Sequence, residues 1–331
     1  MPKMRYGVVG TSWITRCMIM GAKTHPSLLE LTAVCSRDRE RGAAFAASVG
    51  SDAKVFTSPA EMAASDCIDM VYIASPNACH AEQCRLFLQA GKHVLCEKPL
   101  YAVPEEVASL QQLAREKGLL FREAIIMLYQ PQLEVLRQAV ARCGRVSMAH
   151  FDFCQFSSKY EAYAQGECPN IFNPALHTGA LMDLGVYCVY PALYLFGEPE
   201  KAQATATFLR TGADGEGAAL LSYPDKQVVL TYSKTGQAAA GSQIVGDKGA
   251  VRIGAISRLE QMVFCEQDGT EHVLHTGEEK HVLMGREIAA FAEEALRGAC
   301  CPGEKDSLAL AVSRCMAEMR RQAGVRFPGI E

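Results

Sequence analysis

Near its N-terminus the sequence reads Arg5-Tyr6-Gly7-Val8-Val9-Gly10, and Thr11-Ser12-Trp13-Ile14-Thr15 follows without a break. An apolar run that ends in glycine and leads into a helical pattern is typical of the first turn of a dinucleotide-binding fold. A glycine-rich turn lets the backbone approach a pyrophosphate, and the helix N-terminus adds N–H groups and a positive dipole end. The match to G-x-G-x-x-G/A is partial, because Ser12 and Thr15 stand at the second and third places.

The following hundred or so residues continue this alternation of strand and helix. At Ser58-Pro59-Ala60-Glu61 a capping serine, a proline at the first helical position and a glutamate mark the start of a helix. Strands separated by helices of about 10 to 15 residues predict βαβ units and a parallel sheet. We expect strands at residues 5–10, 29–36, 54–56, 69–75, 93–96 and 119–121, and helices at residues 12–23, 39–49, 80–90 and 104–117.

The second half of the chain has a different pattern. Glycine turns such as Gly246-Asp247-Lys248-Gly249 separate short apolar runs, which is typical of an antiparallel sheet. We therefore predict an α/β protein, with a doubly wound parallel sheet in a domain at residues 1–122 and a mostly antiparallel sheet in an α+β domain at residues 123–331. In the second domain we expect strands at residues 144–156, 202–210, 218–223, 227–233, 242–245, 250–253, 262–266 and 272–275, and helices at residues 179–195, 283–297 and 307–323.

Composition limits the classes of function. Of the 331 residues, 49% are hydrophobic and 21% are charged, and the formal net charge is −4. A chain of this length and balance buries a sizeable core and is not disordered. We see no cluster of lysine and arginine typical of a nucleic-acid surface, and no run that approaches the ~18 apolar residues of a membrane span. We expect neither nucleic acid nor a membrane as a partner.

The 14 cysteines are scattered along the chain, and no CxxC pair occurs. Isolated cysteines within apolar runs are typical of reduced thiols that serve as small hydrophobic side chains. A structural zinc site needs clustered ligands. We therefore expect a reducing compartment, a cytoplasmic location and no metal.

The residues after the second strand select the ribose in dinucleotide-binding folds. An acidic residue at the strand end holds the ribose 2′-hydroxyl of NAD, whereas this chain has Ser36 followed by Arg37. A hydroxyl and a planar guanidinium suit a 2′-phosphate, which favours NADP. Asp38 leaves NAD open, because it either contacts the ribose or caps the next helix.

Three further segments carry a resemblance to a known family. They read S-P-N-A-C-H at residues 75–80, G-K-H-V-L-C-E-K-P-L at residues 91–100 and N-P-A-L-H-T-G-A-L-M-D-L-G-V-Y at residues 173–187. In this order and spacing they resemble the glucose–fructose oxidoreductase/inositol dehydrogenase (Gfo/Idh/MocA) family over essentially the whole chain. Its trans-dihydrodiol and NADP-dependent D-xylose dehydrogenases are the most similar subgroup. The resemblance implies a Rossmann domain, a second domain with a large open antiparallel sheet, and hydride transfer between a nicotinamide and a sugar-like carbonyl or alcohol.

The resemblance also implies three catalytic residues. Lys98 matches the lysine of the E-K-P motif, Tyr187 matches the acid/base residue of D-x-G-x-[HY], and Asp183 stands one α-helical turn earlier. A tyrosine, with a usual pKa of about 10, is a poor base at pH 7 unless a nearby ammonium lowers its pKa. Lys98 follows the fifth strand at the carboxyl end of the sheet, where such folds bind ligands. We expect Lys98 and Tyr187 to meet in a cleft between the domains.

The remaining site residues follow from the same motifs. For the cofactor we expect contacts from the glycine turn, the ribose position, the P-N-x-x-H segment and the E-K-P motif; packing or capping is as good an explanation for His80. The substrate contacts are expected on the segment that leads into the tyrosine helix. The cofactor set is Gly10, Thr11, Ser12, Trp13, Ile14, Ser36, Arg37, Ser75, Pro76, Asn77, His80, Glu97 and Lys98, and the substrate set is Asn173, His177, Asp183 and Tyr187.

Two places depart from the family pattern. The segment before the tyrosine helix usually has three glycines, and here it reads His177-Thr178-Gly179. The side chain of His177 therefore either faces the substrate or narrows its pocket. The glycine missing at Ser12 is expected to weaken cofactor affinity.

These observations predict an NADP-dependent oxidoreductase that acts on a small polyol, sugar or dihydrodiol. One alternative is a catalytically silent nucleotide-binding regulator, which predicts the loss of Lys98 or Tyr187, although both are present. The other is an NAD-dependent inositol-type dehydrogenase, which predicts a histidine at position 187 and an acid at position 36. By analogy with the family, the broad sheet of the second domain is expected to form a homodimer or tetramer.

Overall fold

The computed structural model describes residues 3–301 and 303–330. They form two compact units that do not follow the single boundary expected between residues 122 and 123. Unit 1 comprises Met1–Tyr101 (described from residue 3), Glu105–Gln130 and Glu279–Ser307, and unit 2 comprises Ala102–Pro104, Pro131–Glu278 and Leu308–Glu331 (described up to residue 330). The α-helices of the described residues are α1 (Trp13–Ala22), α2 (Arg39–Ser48), α3 (Pro59–Ala63), α4 (His80–Gln89), α5 (Pro104–Lys117), α6 (Gln132–Arg142), α7 (Tyr160–Ala164), α8 (Val186–Phe196), α9 (Lys280–Leu296) and α10 (Glu304–Ala323).

The sheet of unit 1 confirms the predicted doubly wound fold. Its six strands are all parallel and lie in the order β3-β2-β1-β4-β5-β6. The order reverses between β1 and β4, and ligands bind such sheets at this switch point, beyond the carboxyl ends of the strands. The strands are β1 (Met4–Val9), β2 (Leu29–Cys35), β3 (Lys54–Phe56), β4 (Met70–Ile73), β5 (His93–Glu97) and β6 (Phe121–Ala124).

Helix α9 explains why residues far along the chain belong to unit 1. A Cβ atom added to Gly21 of α1 would lie 2.2 Å from the carbonyl oxygen of His281 and 2.5 Å from the amide nitrogen of Gly285. The two helix backbones therefore touch, and apolar side chains around this contact join the core of the unit. The predicted boundary treated residues 283–297 as part of the second domain, because a contact between distant segments leaves no local signal in the sequence.

The sheet of unit 2 has eight strands in the order β14-β13-β12-β11-β7-β10-β9-β8. The expected antiparallel pairing holds for six of the seven neighbouring pairs, and β7 and β10 pair in parallel. Other strands and the long 155–200 segment separate these two in sequence, so the chain returns in the same direction. The strands are β7 (Val146–Cys154), β8 (Lys201–Phe208), β9 (Asp214–Ser222), β10 (Gln227–Ser233), β11 (Ser242–Gly246), β12 (Gly249–Ala255), β13 (Glu260–Glu266) and β14 (Glu271–His275).

The apolar segment before β8 crosses the face of this sheet. It begins with a 3₁₀ turn at Pro174–Leu176, continues as a π-helical turn at Leu181–Gly185 and ends as α8. The stretch Pro174–Phe196 is long and apolar enough to cross a membrane by composition, but 72% of its apolar window is buried within the protein. Burial against β7 and β10 accounts for its apolar character, as in the core helices of globular proteins.

Several elements differ from the sequence predictions. Helix α6 was not predicted, although Leu133, Leu136 and Ala139 are buried at the three-residue spacing of an amphipathic helix. Strand β6 lies at Phe121–Ala124 rather than at residues 119–121. A short apolar run fixes the existence of a strand better than its ends.

Candidate active site

The glycine turn at the end of β1 lies at the switch point of the parallel sheet. Gly10 has a φ of 99°, and its amide nitrogen donates to the carbonyl oxygen of Cys35 over 3.1 Å. A Cβ atom at this position would lie 2.7 Å from the carbonyl oxygen of Ala74. Only glycine fits both the dihedral angle and the space. The turn lies at the end of β1 and directly before α1, where dinucleotide-binding folds hold a pyrophosphate.

Ser12, which stands where the motif has its second glycine, is the N-cap of α1. Its hydroxyl accepts from the amide of Thr15 at 3.5 Å and lies 3.2 Å from the Thr15 hydroxyl. The helix start is therefore stabilised by a serine cap. Trp13 is 64% exposed, and the ammonium of Lys280 lies 4.8 Å from its ring centroid. Thr11 and Ile14 are half-buried beside them.

At the ribose position the structure assigns a clear role to Asp38. Its Oδ1 accepts from the backbone amide of Arg41 at 2.7 Å, which makes Asp38 the N-cap of α2. Ser36 is buried next to Gly42 at the end of β2, and Arg37 is exposed. The groups that remain at this strand end as candidate ribose contacts are the hydroxyl of Ser36 and the guanidinium of Arg37.

His80 is buried too deeply for the cofactor contact assigned to it. It is fully buried, and its ring nitrogens lie 2.9 Å from the carbonyl oxygens of Pro99 and Ser75. Burial lowers the pKa of this histidine. Because the ring bridges the loop after β4 and the loop after β5, we reassign His80 to positioning these two loops. Pro76 and Asn77, in the first of them, are exposed and half-buried.

Glu97 and Lys98 end strand β5 at the same edge of the sheet. The hydroxyl of the buried Tyr72, on the neighbouring strand β4, donates to Oε1 of Glu97. Lys98 is half-buried. In the same loop the amide of Leu100 donates to Glu123 at 3.0 Å, so backbone and side-chain bonds both fix the segment that carries Lys98.

Behind this loop lies a buried carboxyl group that the motif analysis missed. Glu287, on α9, is fully buried, and neither of its carboxyl oxygens has a hydrogen-bond partner among the described residues. Burial raises the pKa of Glu287 well above its usual value, the charge of Glu97 raises it further, and Lys280 and Lys305 oppose the shift. The only sequence signal is a glutamate within the apolar face of a helix.

In unit 2 the segment before the tyrosine helix is tightly folded. Oδ1 of Asn173 accepts from the amide of Ala175 at 3.0 Å, and the Thr178 hydroxyl donates to the carbonyl oxygens of Asn170 and Asn173. His177 is 5% exposed and adopts a left-handed conformation, with a φ of 56°.

The side chain of His177 is directed into the protein. Its ring stacks on Phe327 with 5.1 Å between the ring centroids. We therefore assign His177 to packing rather than to the substrate contact expected from the sequence. The left-handed backbone at this position explains why glycine suits it in the family pattern.

Gly179 keeps the third glycine of the family pattern because Asp214 leaves no room for a side chain. A Cβ atom at Gly179 would lie 1.8 Å from Oδ1 of Asp214. The other carboxyl oxygen of Asp214 accepts from the amide of Leu181 at 2.6 Å and so holds the first turn of the helical segment. Burial raises the pKa of Asp214 to about 6. This carboxyl group was not found from the sequence, because it comes from a strand some thirty residues later.

Asp183 is held by a lysine that the sequence analysis also missed. The ammonium of Lys234 donates to Oδ2 of Asp183, and the side chains of Lys234 and Asp183 are 5% and 18% exposed. Lys234 follows directly after β10, where nothing in the local sequence distinguishes it from a solvated lysine. The pairing arises from sheet topology, because the order of the strands brings the end of β10 next to the turn at Leu181–Gly185 that contains Asp183.

Tyr187 lies in the first turn of α8, buried to 8% exposure, with its ring 5.4 Å from that of Phe153 in an edge-to-face arrangement. The turn from Leu181 to Gly185 is π-helical, so the residues from Asp183 to Tyr187 do not follow the α-helical spacing that was predicted. Single π turns inside helices are frequent at functional sites, because they re-aim side chains.

Taken separately, the two units offer complementary chemistry. Unit 1 has a backbone turn and a helix start that fit a pyrophosphate, with a hydroxyl and a guanidinium at the ribose position. Unit 2 has a phenol and an ion-paired carboxylate on one helical segment. Among residues 3–301 and 303–330 no group of three or more histidine, cysteine, aspartate or glutamate side chains is placed to hold a metal ion. All 14 cysteines are free thiols.

Comparison with known proteins agrees with this architecture. Residues 4–124 match the model of the Gfo/Idh/MocA oxidoreductase family with an NAD-binding Rossmann fold, and residues 134–252 match the C-terminal domain of the same family. The chain is 37% identical over 328 residues to the scyllo-inositol 2-dehydrogenase (NADP(+)) of Bacillus subtilis, with 98% of each protein covered. It is 30% identical over 348 residues to the trans-1,2-dihydrobenzene-1,2-diol dehydrogenase of Macaca fascicularis, with 98% of each covered.

Solved structures give the same result. A 3-ketoreductase from Actinomadura kijaniata in complex with NADP and TDP-benzene superimposes with a TM-score of 0.85 at 25% identity, over 97% of this chain and 98% of that one. Similarity therefore extends across both units and along nearly the full length of the relatives. The chain belongs to the Gfo/Idh/MocA family of oxidoreductases.

Proposed function

We propose that this protein is an NADP-dependent dehydrogenase that oxidises one secondary hydroxyl group of a small polyol, sugar or dihydrodiol. The observation that carries the proposal is the turn at Gly10. Its backbone lies against Ala74 at the switch point of the sheet, where a Cβ atom would meet a carbonyl oxygen at 2.7 Å. In a family of oxidoreductases, such a turn supports the binding of a dinucleotide.

The preference for NADP rests on the residues after β2. Asp38 is engaged as the cap of α2, whereas Arg37 is exposed and its charge acts on Cys79 in the loop after β4. The guanidinium of Arg37 and the hydroxyl of Ser36 are suited to a 2′-phosphate. The NADP-dependent inositol dehydrogenase among the relatives and the NADP complex of the ketoreductase support this choice.

In the proposed reaction Tyr187 exchanges the proton of the substrate hydroxyl. Its phenolic oxygen takes that proton as the carbonyl forms, and returns it when the reaction runs in reverse. Lys98 supplies the ammonium that favours the phenolate, and Asp183 accepts a hydrogen bond from the substrate. A bound NADP+ would supply the hydride acceptor for the carbon atom that carries this hydroxyl group.

Cyclic polyols of the inositol type are the first substrates to examine. From the family pattern, an inositol-type substrate implies NAD, a histidine at position 187 and an acid at position 36. The NADP-dependent inositol dehydrogenase shows that an inositol substrate and NADP occur together in a relative of 37% identity. A dihydrodiol or an aldose is the second choice, supported by relatives of 30% and 31% identity.

The test is a turnover screen of the purified protein with NADP+ and NAD+. Scyllo-inositol, myo-inositol, D-xylose and a trans-dihydrodiol are offered at equal concentration, and the absorbance of the reduced cofactor is followed. We expect turnover with NADP+ on at least one of these compounds. Tight binding of NADPH without turnover of any polyol, sugar or diol would contradict the proposal and favour the silent regulator.

A further inference from the structure

Lys234 connects the turn at Leu181–Gly185, which contains Asp183, with the loop around Ile171 that precedes it. Besides the carboxylate of Asp183, its ammonium donates to the carbonyl oxygen of Ile171 over 2.8 Å. The same ammonium lies 5.6 Å from the centroid of the Phe172 ring. One buried cation thus connects residues 171 and 172, close to the predicted substrate residue Asn173, with the carboxylate of Asp183.

The backbone of Lys234 is also fixed. Its amide nitrogen donates to the carbonyl oxygen of Gly215 at 2.8 Å, and its own carbonyl oxygen accepts from Ser157 at 2.9 Å. The side chain therefore starts from a defined point at the end of the sheet, and it is buried. A lysine in such a place is stable only if oxygen partners replace the water it has lost.

The charge of Lys234 also acts on a second carboxyl group, that of Asp214. Asp214 holds the start of the same helical segment. The charge of Lys234 lowers the pKa of Asp214, and the charge of Asp183 raises it. Lys234 therefore acts on two carboxyl groups at this segment, on Asp183 through a hydrogen bond and on Asp214 through its charge.

We propose that Lys234 is a positioning residue of the substrate site, and that it holds the Asp183 carboxylate in place to accept a hydrogen bond from a second hydroxyl group of the substrate. Asp183 lies in the π turn and Tyr187 lies in the first turn of α8 that follows it, so we place them at neighbouring positions of a small ring. The substrate class narrows to compounds with adjacent hydroxyl groups, of which one is oxidised near Tyr187 and the other is hydrogen-bonded by Asp183. This inference rests on the proposed function and deepens it.

The test combines Lys234→Met, which removes the cation but keeps an unbranched side chain, with Lys234→Arg, which keeps the charge. Lys201→Met, on an exposed lysine of the same sheet, is the matched control. We expect Lys234→Met to raise the KM for an active vicinal diol by about tenfold or more, equivalent to ~1.4 kcal/mol of lost binding. Its Kd for NADPH stays the same, because those contacts lie in unit 1. Lys234→Arg recovers part of the loss.

A second measurement separates positioning from simple packing. If Lys234 acts through Asp183, the effect on KM of Lys234→Met disappears in an Asp183→Asn background, and the two changes are not additive. Additive effects, or a KM for the diol that is unchanged in Lys234→Met, would overturn the proposal. So would an equal rise in KM for a substrate that lacks the neighbouring hydroxyl. Failure of the proposed function has a different signature, because the unmodified protein would then turn over none of these compounds.

Discussion

At the cofactor end, backbone geometry shapes the turn: Gly10 adopts a φ of 99° against a neighbouring carbonyl group, and Ser12 and Asp38 cap the two helices that start there. At the proposed substrate end, side chains from distant strands fix the positions of the functional groups. Lys234 holds Asp183, and Asp214 holds the start of the helical segment that carries it. The two caps of the first end join residues close in sequence, whereas the contacts that hold Asp183 and Leu181 join residues far apart in sequence.

Because the two ends are built independently, we expect substrate chemistry and cofactor binding to respond to different substitutions. Changes to unit 2 should remove chemistry or substrate binding and leave cofactor affinity intact, and changes at the ribose position of unit 1 should do the reverse. The following predictions test that separation.

The largest effect is expected for Tyr187→Phe. Loss of the phenolic proton acceptor should lower kcat by about 10²- to 10⁴-fold, because general acid–base catalysis contributes an effect of this size. The Kd for NADPH, measured by fluorescence, should stay within about twofold. Tyr194→Phe, on the same helix and half-buried, is the control and should retain turnover. A loss of cofactor affinity with unchanged turnover of the loaded enzyme would show that Tyr187 is structural and would break the comparison.

Gly179→Ala should destabilise unit 2. The new Cβ atom would lie 1.8 Å from Oδ1 of Asp214, so the carboxyl group that holds Leu181 must move. We expect a loss of roughly 2–4 kcal/mol in the free energy of unfolding, measured by thermal or denaturant unfolding. Gly236→Ala, whose Cβ would lie 3.6 Å from the nearest side-chain atom, should change stability far less. Equal stability of the two variants would mean that Asp214 is not the constraint at this turn.

The fold was predictable where local rules decide it. Helix α5 and strand β10 have the limits expected from their sequences, and Ser58 caps its helix as its motif indicated. The parallel pairing of β7 with β10 was not predictable, because it depends on the path of a long connection. The same reason hid Lys234 and Asp214, since each becomes meaningful only when a distant strand is placed beside the helix.

Within the predicted site, the glycine turn at Gly10 could be interpreted from the sequence, whereas the cap at Ser12 and the side-chain orientations could not. His80 and His177 are both polar residues inside family motifs, yet each ring is buried against the protein itself. The π turn at Leu181–Gly185 also has no local signature, and it changes the spacing between Asp183 and Tyr187 that an α-helix would give.

Glu287→Gln sharpens the comparison, because it tests a buried side chain in unit 1 that no motif contains. The folded protein keeps the proton of Glu287, whereas the unfolded chain releases it above a pKa of about 4.5. Stability of the unmodified protein should therefore fall as the pH rises above that value, and a neutral glutamine should avoid this loss.

We expect equal melting temperatures for the unmodified protein and Glu287→Gln near pH 5. At pH 8 the variant should have the higher melting temperature, because only the unmodified protein loses stability as the pH rises. The control Glu293→Gln, on the exposed side of the same helix, should show no such trend. A gap between Glu287→Gln and the unmodified protein that does not change with pH would rule out a retained proton.

The smallest effect is expected for Arg37→Ala at the ribose position. Loss of one guanidinium contact to a 2′-phosphate should weaken NADPH by about tenfold, or ~1.4 kcal/mol, and leave NADH nearly unchanged. Arg41→Ala, on the first turn of the next helix, is the control. Equal weakening of both cofactors would remove Arg37 from the 2′-phosphate site.

The most direct test of the central claim is a fluorescence titration of the unmodified protein with NADPH and with NADH under identical conditions. The account predicts saturable binding of NADPH that is at least about tenfold tighter than that of NADH, because Ser36 and Arg37 are placed for a 2′-phosphate and Asp38 is engaged as a cap. Tighter binding of NADH, or binding of neither cofactor, would contradict it.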